Sequence, residues 1–298
     1  MRYLIFILIV FTGCTSSPTE SSGKLKIVCT TSIIADAVSE ITNDSCIVIS
    51  LMGPGTDPHL FKPTKASLDH MADADIIVSN GLHLEGRMQE VLQQMSRSKQ
   101  IIFIGDTLNK DQLLYGDASK KLPDPHIWFD VNIWAQGISY LSNALSRVYP
   151  ESIDIEKRDT YVQNLHDLDD WVRVEMHSIP EEQRVLITAH DAFSYFGKAY
   201  DVEVVGLQGI STMAEYGIRD ITNMVDFVIS RKIKAVFVET SISSRSIEAV
   251  IAGCKDRGFN VVEGGTLYSD ALGGKDSGAD TYIEMVKFNV TTIKKALL

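Results

Sequence analysis

The sequence predicts an α/β protein of two lobes, each built on a four-stranded, mainly parallel sheet flanked by helices, with one long rigid helix joining them. Three observations carry this expectation. Short apolar, β-rich runs alternate with helical patterns from residue 26 onward. Those runs are continuously apolar, which marks strands covered on both faces, as in a parallel sheet. In mid-chain, residues 151–178 contain no Gly or Pro, so one uninterrupted helix fits there.

Composition narrows the function classes. The 298 residues include 28 Lys+Arg and 39 Asp+Glu, a formal charge of −11, with 45% hydrophobic residues. That apolar share supplies a core and excludes a disordered polyampholyte. An acidic balance without a basic cluster argues against nucleic acid as a partner, because that affinity rests on cation–phosphate attraction.

Taken in order, the chain opens on Arg2 and nine apolar residues, 3–11, followed by Thr12-Gly13-Cys14. Nine residues span about 14 Å as a helix, too short for a bilayer core of about 30 Å. The basic start, short apolar run and small residues read as an export signal over 1–13. Thr12-Gly13-Cys14 resembles the bacterial lipobox, so Cys14 is expected to carry a lipid anchor, with 14–24 as a flexible tether. The alternative is an ordinary signal peptide and an incidental cysteine. Cys29, Cys46 and Cys254 make neither a disulfide framework nor a CxxC pair and are expected in the core.

The first lobe, 25–150, has strand runs at 26–30, 46–52, 76–79 and 101–104, with helical patterns at 33–41, 64–72 and 84–95. The connector, 151–179, carries Tyr161, Leu165, Leu168 and Val172 at a 4-3-4 spacing that puts them on one helical face. At 1.5 Å per residue its 151–178 stretch would reach about 42 Å. A rigid connector of this kind implies small lobe tilts rather than wide opening. The second lobe, 180–298, has strand runs at 185–188, 202–207, 235–239 and 260–263, with helical patterns at 221–231 and 246–257.

Four loops carry chemistry. Gly and Pro set the path of 53–63, which holds Asp57-Pro58-His59, and Asp124-Pro125-His126 repeats the same tripeptide. His190 lies in the strand-to-helix turn Thr188-Ala189-His190-Asp191-Ala192-Phe193, and Asp270 follows the last strand run. In open parallel sheets ligands sit outside the carboxyl ends of the strands. Two loops come from each lobe, which places the site in the cleft between them. Three imidazoles and a carboxylate suit a divalent ion such as zinc, manganese or iron. Spacing alone leaves each histidine equally open to a structural role. Glu239, at the end of a strand run, is a candidate to brace a ligand from behind, and Asp57 and Asp124 supply further carboxylates. His70, His166 and His177 lie on helical patterns and read as solvated surface, while His83 reads as structural.

These segments, in order over about 25–298, resemble the TroA-like solute-binding lipoproteins of zinc/manganese ABC importers. The resemblance rests on 53–63, on Asn80-Gly81-Leu82-His83-Leu84-Glu85 and on Pro125-His126-Ile127-Trp128-Phe129-Asp130. It continues through 188–193, Val236-Phe237-Val238-Glu239-Thr240 and Leu267-Tyr268-Ser269-Asp270. It implies that His59, His126, His190 and Asp270 ligate the metal. It also implies an extracytoplasmic, membrane-anchored, monomeric binding protein that passes zinc and/or manganese to an ABC permease and is not an enzyme. A nitrogen donor at His190, where manganese-dedicated relatives often carry Glu, leans toward zinc. The absence of a long His-rich loop leaves manganese in play. The rival classes are a zinc-dependent hydrolase and a surface adhesin. The sequence has no His-Glu-x-x-His, Gly-x-Ser-x-Gly or Walker motif to favour an enzyme.

Overall fold

The computed structural model describes residues 23–116, 122–214 and 216–298. The expected signal and Cys14 lie outside the described residues.

In the first lobe, β1 (Leu25–Cys29), β2 (Cys46–Ser50), β3 (Ile76–Ser79) and β4 (Gln100–Phe103) form one parallel sheet in the order β2-β1-β3-β4. Its central strands are buried on both faces, and their side chains divide by the two-residue period of a strand. Ile27, Cys29, Ile76 and Val78 join the cluster beneath α1 (Ser32–Ile41), whereas Val28 and Ile77 join Met52, Met71, Met88 and Leu92 on the other side. Helix α1 starts where the Thr31 hydroxyl accepts from the Ile34 N–H, and it buries Ile33, Ile34, Ala37, Val38 and Ile41. The strand order reverses between β1 and β3, so the first lobe's crevice opens at their carboxyl ends.

Helix α2 (Lys65–Asp73) matches the sequence pattern closely, but the helix expected over 84–95 begins late. Residues Leu82 and His83 adopt positive φ, a short 3₁₀ turn follows at Gly86–Met88, and only Gln89–Met95 forms α3. The cause is Glu85, whose buried carboxylate turns inward. It accepts from the Thr30 and Ser79 hydroxyls and from the Asn80 and Gly81 N–H groups. One carboxylate thus ties together the ends of β1 and β3 and diverts the chain from a helix.

Helix α4 (Val131–Val148), capped by the Asp130 side chain, leads to the connector. The expected helix over 151–178 starts later, as α5 (Ile155–His177), about 35 Å long. Ahead of it, Pro150–Ser152 makes a 3₁₀ turn, Ile153 bridges to Thr42, and Asp154 caps the helix by accepting from the Lys157 N–H. Its buried stripe is Tyr161, Leu165, Leu168, Val172 and Met176, the anticipated face extended by one turn.

The second lobe comprises β5 (Val185–His190), α6 (Ser194–Tyr200), β6 (Glu203–Gln208), α7 (Ile218–Arg231), β7 (Ala235–Glu239), α8 (Arg245–Asp256), β8 (Val262–Leu267) and α9 (Tyr282–Leu297). Its strands form two parallel pairs, β5–β6 and β7–β8, with β5 beside β7, so the spatial order echoes the first lobe. At the carboxyl end of that seam the His190 N–H donates to the Glu239 side chain. The last strand runs further than its apolar run suggests, through Gly264 and Gly265. A Cβ on Gly264 would sit 2.8 Å from the Phe237 ring and 2.9 Å from Ala296 on α9, so glycine here permits close helix–strand packing. Cys29 and Cys254 are buried as expected, while Cys46 is half-buried, and all three are free thiols. None of the described helices is long and apolar enough to cross a membrane.

The two halves meet along α1 and α9. The Tyr282 N–H donates to Asp36 on α1, and the Leu272 N–H donates to Ser32. Burial pushes the Asp36 carboxyl up to about 7, the Tyr282 N–H opposes this, and Glu40, Glu284 and Asp280 add to the rise. A folded-state value above the unfolded one favours folding at low pH, and the contribution is lost as pH climbs from about 4 through 7. Asp36→Asn should therefore raise stability at pH 8 by on the order of 4 kcal/mol, with the gain shrinking toward zero near pH 4. Thermal melts of both proteins across that range check this; a gain independent of pH would refute it.

Candidate metal centre

Each lobe sends two loops to the cleft. His59 follows β2, with its backbone held by Asp57: Oδ1 accepts from the His59 N–H at 2.8 Å and from the Leu60 N–H at 3.3 Å. His126 precedes the 3₁₀ turn Ile127–Phe129. The neighbouring Asn80 amide anchors this loop by donating to the Pro125 carbonyl. His190 ends β5, and Asp270 lies in the loop after β8. All four side chains are buried, and one donor atom from each lies within 4.8 Å of the others.

The geometry suits a small cation. His59 Nε2 and His126 Nε2 are 3.4 Å apart, and the Asp270 oxygens lie 3.5 Å from His126 Nε2 and 3.6 Å from His190 Nε2. Zinc–nitrogen and zinc–oxygen bonds of about 2.0–2.2 Å in a tetrahedron place ligand atoms roughly 3.3–3.6 Å apart. The rings stand at 59° to 82° to one another, so they converge edge-on instead of stacking.

Carboxylates brace two of the rings. Asp124 Oδ1 accepts from the His126 N–H at 2.9 Å and lies 2.7 Å from His126 Nδ1. Glu239 does the same for His190: Oε1 accepts from its N–H at 3.0 Å, and Oε2 lies 2.7 Å from Nδ1. An ionised carboxylate can only accept, so each Nδ1 is placed to donate and each Nε2 is the nitrogen turned to the centre. His59 differs: among the described residues no carboxylate is paired with its buried Nδ1. The repeated Asp-Pro-His tripeptide thus plays two roles, since Asp124 reaches the ring of its histidine and Asp57 reaches only the backbone N–H of its own.

Charge is balanced by contact. Burial drives the His59 pKa down to about 3, Asp270 opposing and the other two imidazoles assisting, so this ring stays neutral. Burial also disfavours charge on His190, but Glu239 and Asp270 outweigh it and hold its pKa well above the usual histidine range. Burial would raise Asp270, yet His190, then His126 and His59, hold it well below the usual carboxylate range.

The structure separates these histidines from the rest: His70, His83, His166 and His177 are all exposed. Trp128 is buried beside the centre, edge-on to His126 and donating from Nε1 to the Ser269 carbonyl, while buried Phe129 packs on Trp128 and on Phe193. Sequence reasoning missed Ser241, whose hydroxyl lies 3.3 Å from Asp270 Oδ2 and 2.9 Å from the Ser269 hydroxyl. No local signal marks it, because the contact joins two loops distant in sequence.

Residues 27–296 match the model of a family described as zinc-uptake complex component A, periplasmic. The chain is 42% identical over 304 residues to the manganese-binding lipoprotein MntA of Bacillus subtilis, covering 100% of this chain and 98% of that protein. Its fold matches the solved structure of the periplasmic zinc binding protein TroA from Treponema pallidum with a TM-score of 0.88 and 39% identity, covering 92% and 99% of the two chains. Fe(III)-bound YtgA from Chlamydia trachomatis superposes with a TM-score of 0.82 at 27% identity, covering 92% and 98%.

Proposed function

This chain belongs to the family of periplasmic zinc-uptake A components, and from that premise we propose that it is the extracytoplasmic solute-binding protein of an ABC importer for zinc and/or manganese. The observation that carries the reading is the buried set of His59, His126, His190 and Asp270, drawn from both lobes and spaced for one small cation. Ligands from two lobes couple occupancy to lobe arrangement, which gives a permease a loaded state to recognise. Four protein donors fill a tetrahedral shell and leave no position for an activated water, which supports a carrier rather than a hydrolase. Similar proteins are named for manganese, for zinc and, in one structure, for bound iron. The three nitrogens here favour zinc along the usual stability order.

The proposal includes Glu239 and Asp124 as braces of His190 and His126, a lipid on Cys14, release of 1–13, and a monomer tethered by 14–24. Its lobes are 25–150 and 180–298, and the position of α5 supports the connector between them. Cells lacking this chain should lose high-affinity accumulation of Zn2+ and/or Mn2+, and the wild-type chain should restore it while His190→Ala does not. Uptake unchanged by the deletion would overturn the assignment.

A further inference from the structure

The lobes are joined differently on the two sides of the metal centre. On one side the contacts are several and mostly buried. Trp128 Nε1 donates to the Ser269 carbonyl, the Tyr282 hydroxyl donates to the Trp128 carbonyl, and the Leu272 N–H donates to Ser32. These hold the Asp270 loop to the first lobe. On the His59 side, one hydrogen bond spans the cleft from the 53–61 loop among the described residues: Thr212 Oγ1 donates to Asp57 Oδ2 at 2.7 Å.

Asp57 uses its two oxygens for different lobes. Oδ1 fixes the His59 and Leu60 N–H groups, while Oδ2 takes the hydroxyl from the loop after β6. That loop is compact, because Gln208 Nε2 donates to the Ala214 carbonyl and the Ala214 N–H donates to the Ser211 carbonyl, which leaves Thr212 at its tip. Met213 follows, its sulfur within 3.0 Å of where a Gly86 Cβ would stand, next to the His59 carbonyl. The tip therefore lies over the backbone that presents His59.

We infer that Asp57 and Thr212 are a positioning pair that holds the second lobe over His59 and sets the rate at which the ion leaves. The inference rests on the metal-cargo reading of the centre. Neither residue supplies a donor to the ion; both act through the placement of His59.

The test is stopped-flow release of Zn2+ from the loaded protein into excess chelator, for wild type, Thr212→Val and Thr212→Ser. Thr212→Val removes only the hydroxyl and should speed release about tenfold, the scale of one hydrogen bond to a charged acceptor that is partly solvated. Thr212→Ser restores the donor and should release within about twofold of wild type. Stoichiometry should stay at one ion in all three. Release from Thr212→Val at the wild-type rate overturns the pairing. So does a fall in the melting temperature of the metal-free variant with no change in release, which would mark a purely structural contact. A wild-type protein that binds no zinc overturns the cargo reading and the pairing together, and is distinguished by its stoichiometry.

Discussion

Asp270→Asn is expected to weaken Zn2+ binding by on the order of 100-fold or more. Loss of a partner that merely braces a metal ligand costs about 10- to 100-fold, and Asp270 faces the centre itself. Its oxygens lie 3.5 and 3.6 Å from the inward nitrogens of His126 and His190 and provide the anionic donor of the set. An amide presents one neutral oxygen and a nitrogen that cannot ligate in its ordinary state. The metal-free variant should remain folded, because His190 keeps Glu239 and the Asp270 loop keeps its Trp128 and Ser32 contacts. Competitive titration with a chelator measures the affinity, and circular dichroism checks the fold. An affinity within threefold of wild type would remove Asp270 from the site.

Glu239→Gln should lower affinity by about 10- to 100-fold without touching the ion. The Glu239 carboxylate accepts from the His190 N–H and faces Nδ1 at 2.7 Å. Glutamine has only one acceptor oxygen for these two positions. If its amide nitrogen faces Nδ1, that nitrogen must become the acceptor, the proton moves to Nε2, and the inward lone pair is lost. If it faces the backbone instead, two donors oppose each other in a buried place. Asp124→Asn should cost less, because the His126 N–H and Nδ1 share one oxygen of Asp124, so an amide oxygen can serve both and only the charge is lost. The metal-induced rise in melting temperature gives an independent measure, because ligand stabilisation follows affinity. Equal metal-induced shifts in wild type and both variants would contradict the bracing role.

Much of this arrangement was legible from local patterns. Continuous apolar runs identified the parallel strands, and the Tyr161, Leu165, Leu168 and Val172 spacing identified the buried face of α5. His59, His126, His190 and Asp270 stood out because rigid or strand-end loops carry them, and the folded chain brings those side chains together. What escaped were features decided by contacts between distant segments. Asp57-Pro58-His59 and Asp124-Pro125-His126 are identical tripeptides, yet one carboxylate binds a ring and the other binds Thr212. Their difference depends on which loop lies opposite. Glu85 looked like part of a helix until its carboxylate gathered Thr30, Ser79 and Asn80. Gly264 and Gly265 looked like a loop, whereas they allow α9 to approach β8. The connector's true start was set by Asp154 and by the Thr42 bridge, neither of which an apolar period registers.

The central claim is that one divalent ion is held by four side chains contributed by two lobes. Equilibrium titration of the metal-free protein with Zn2+ against a chelating indicator tests it most directly, run beside His59→Ala, His126→Ala, His190→Ala and Asp270→Ala. One ion per chain in the wild type, with a large loss of affinity in each variant, is the predicted result. Wild-type stoichiometry and affinity retained in all four variants would contradict the claim.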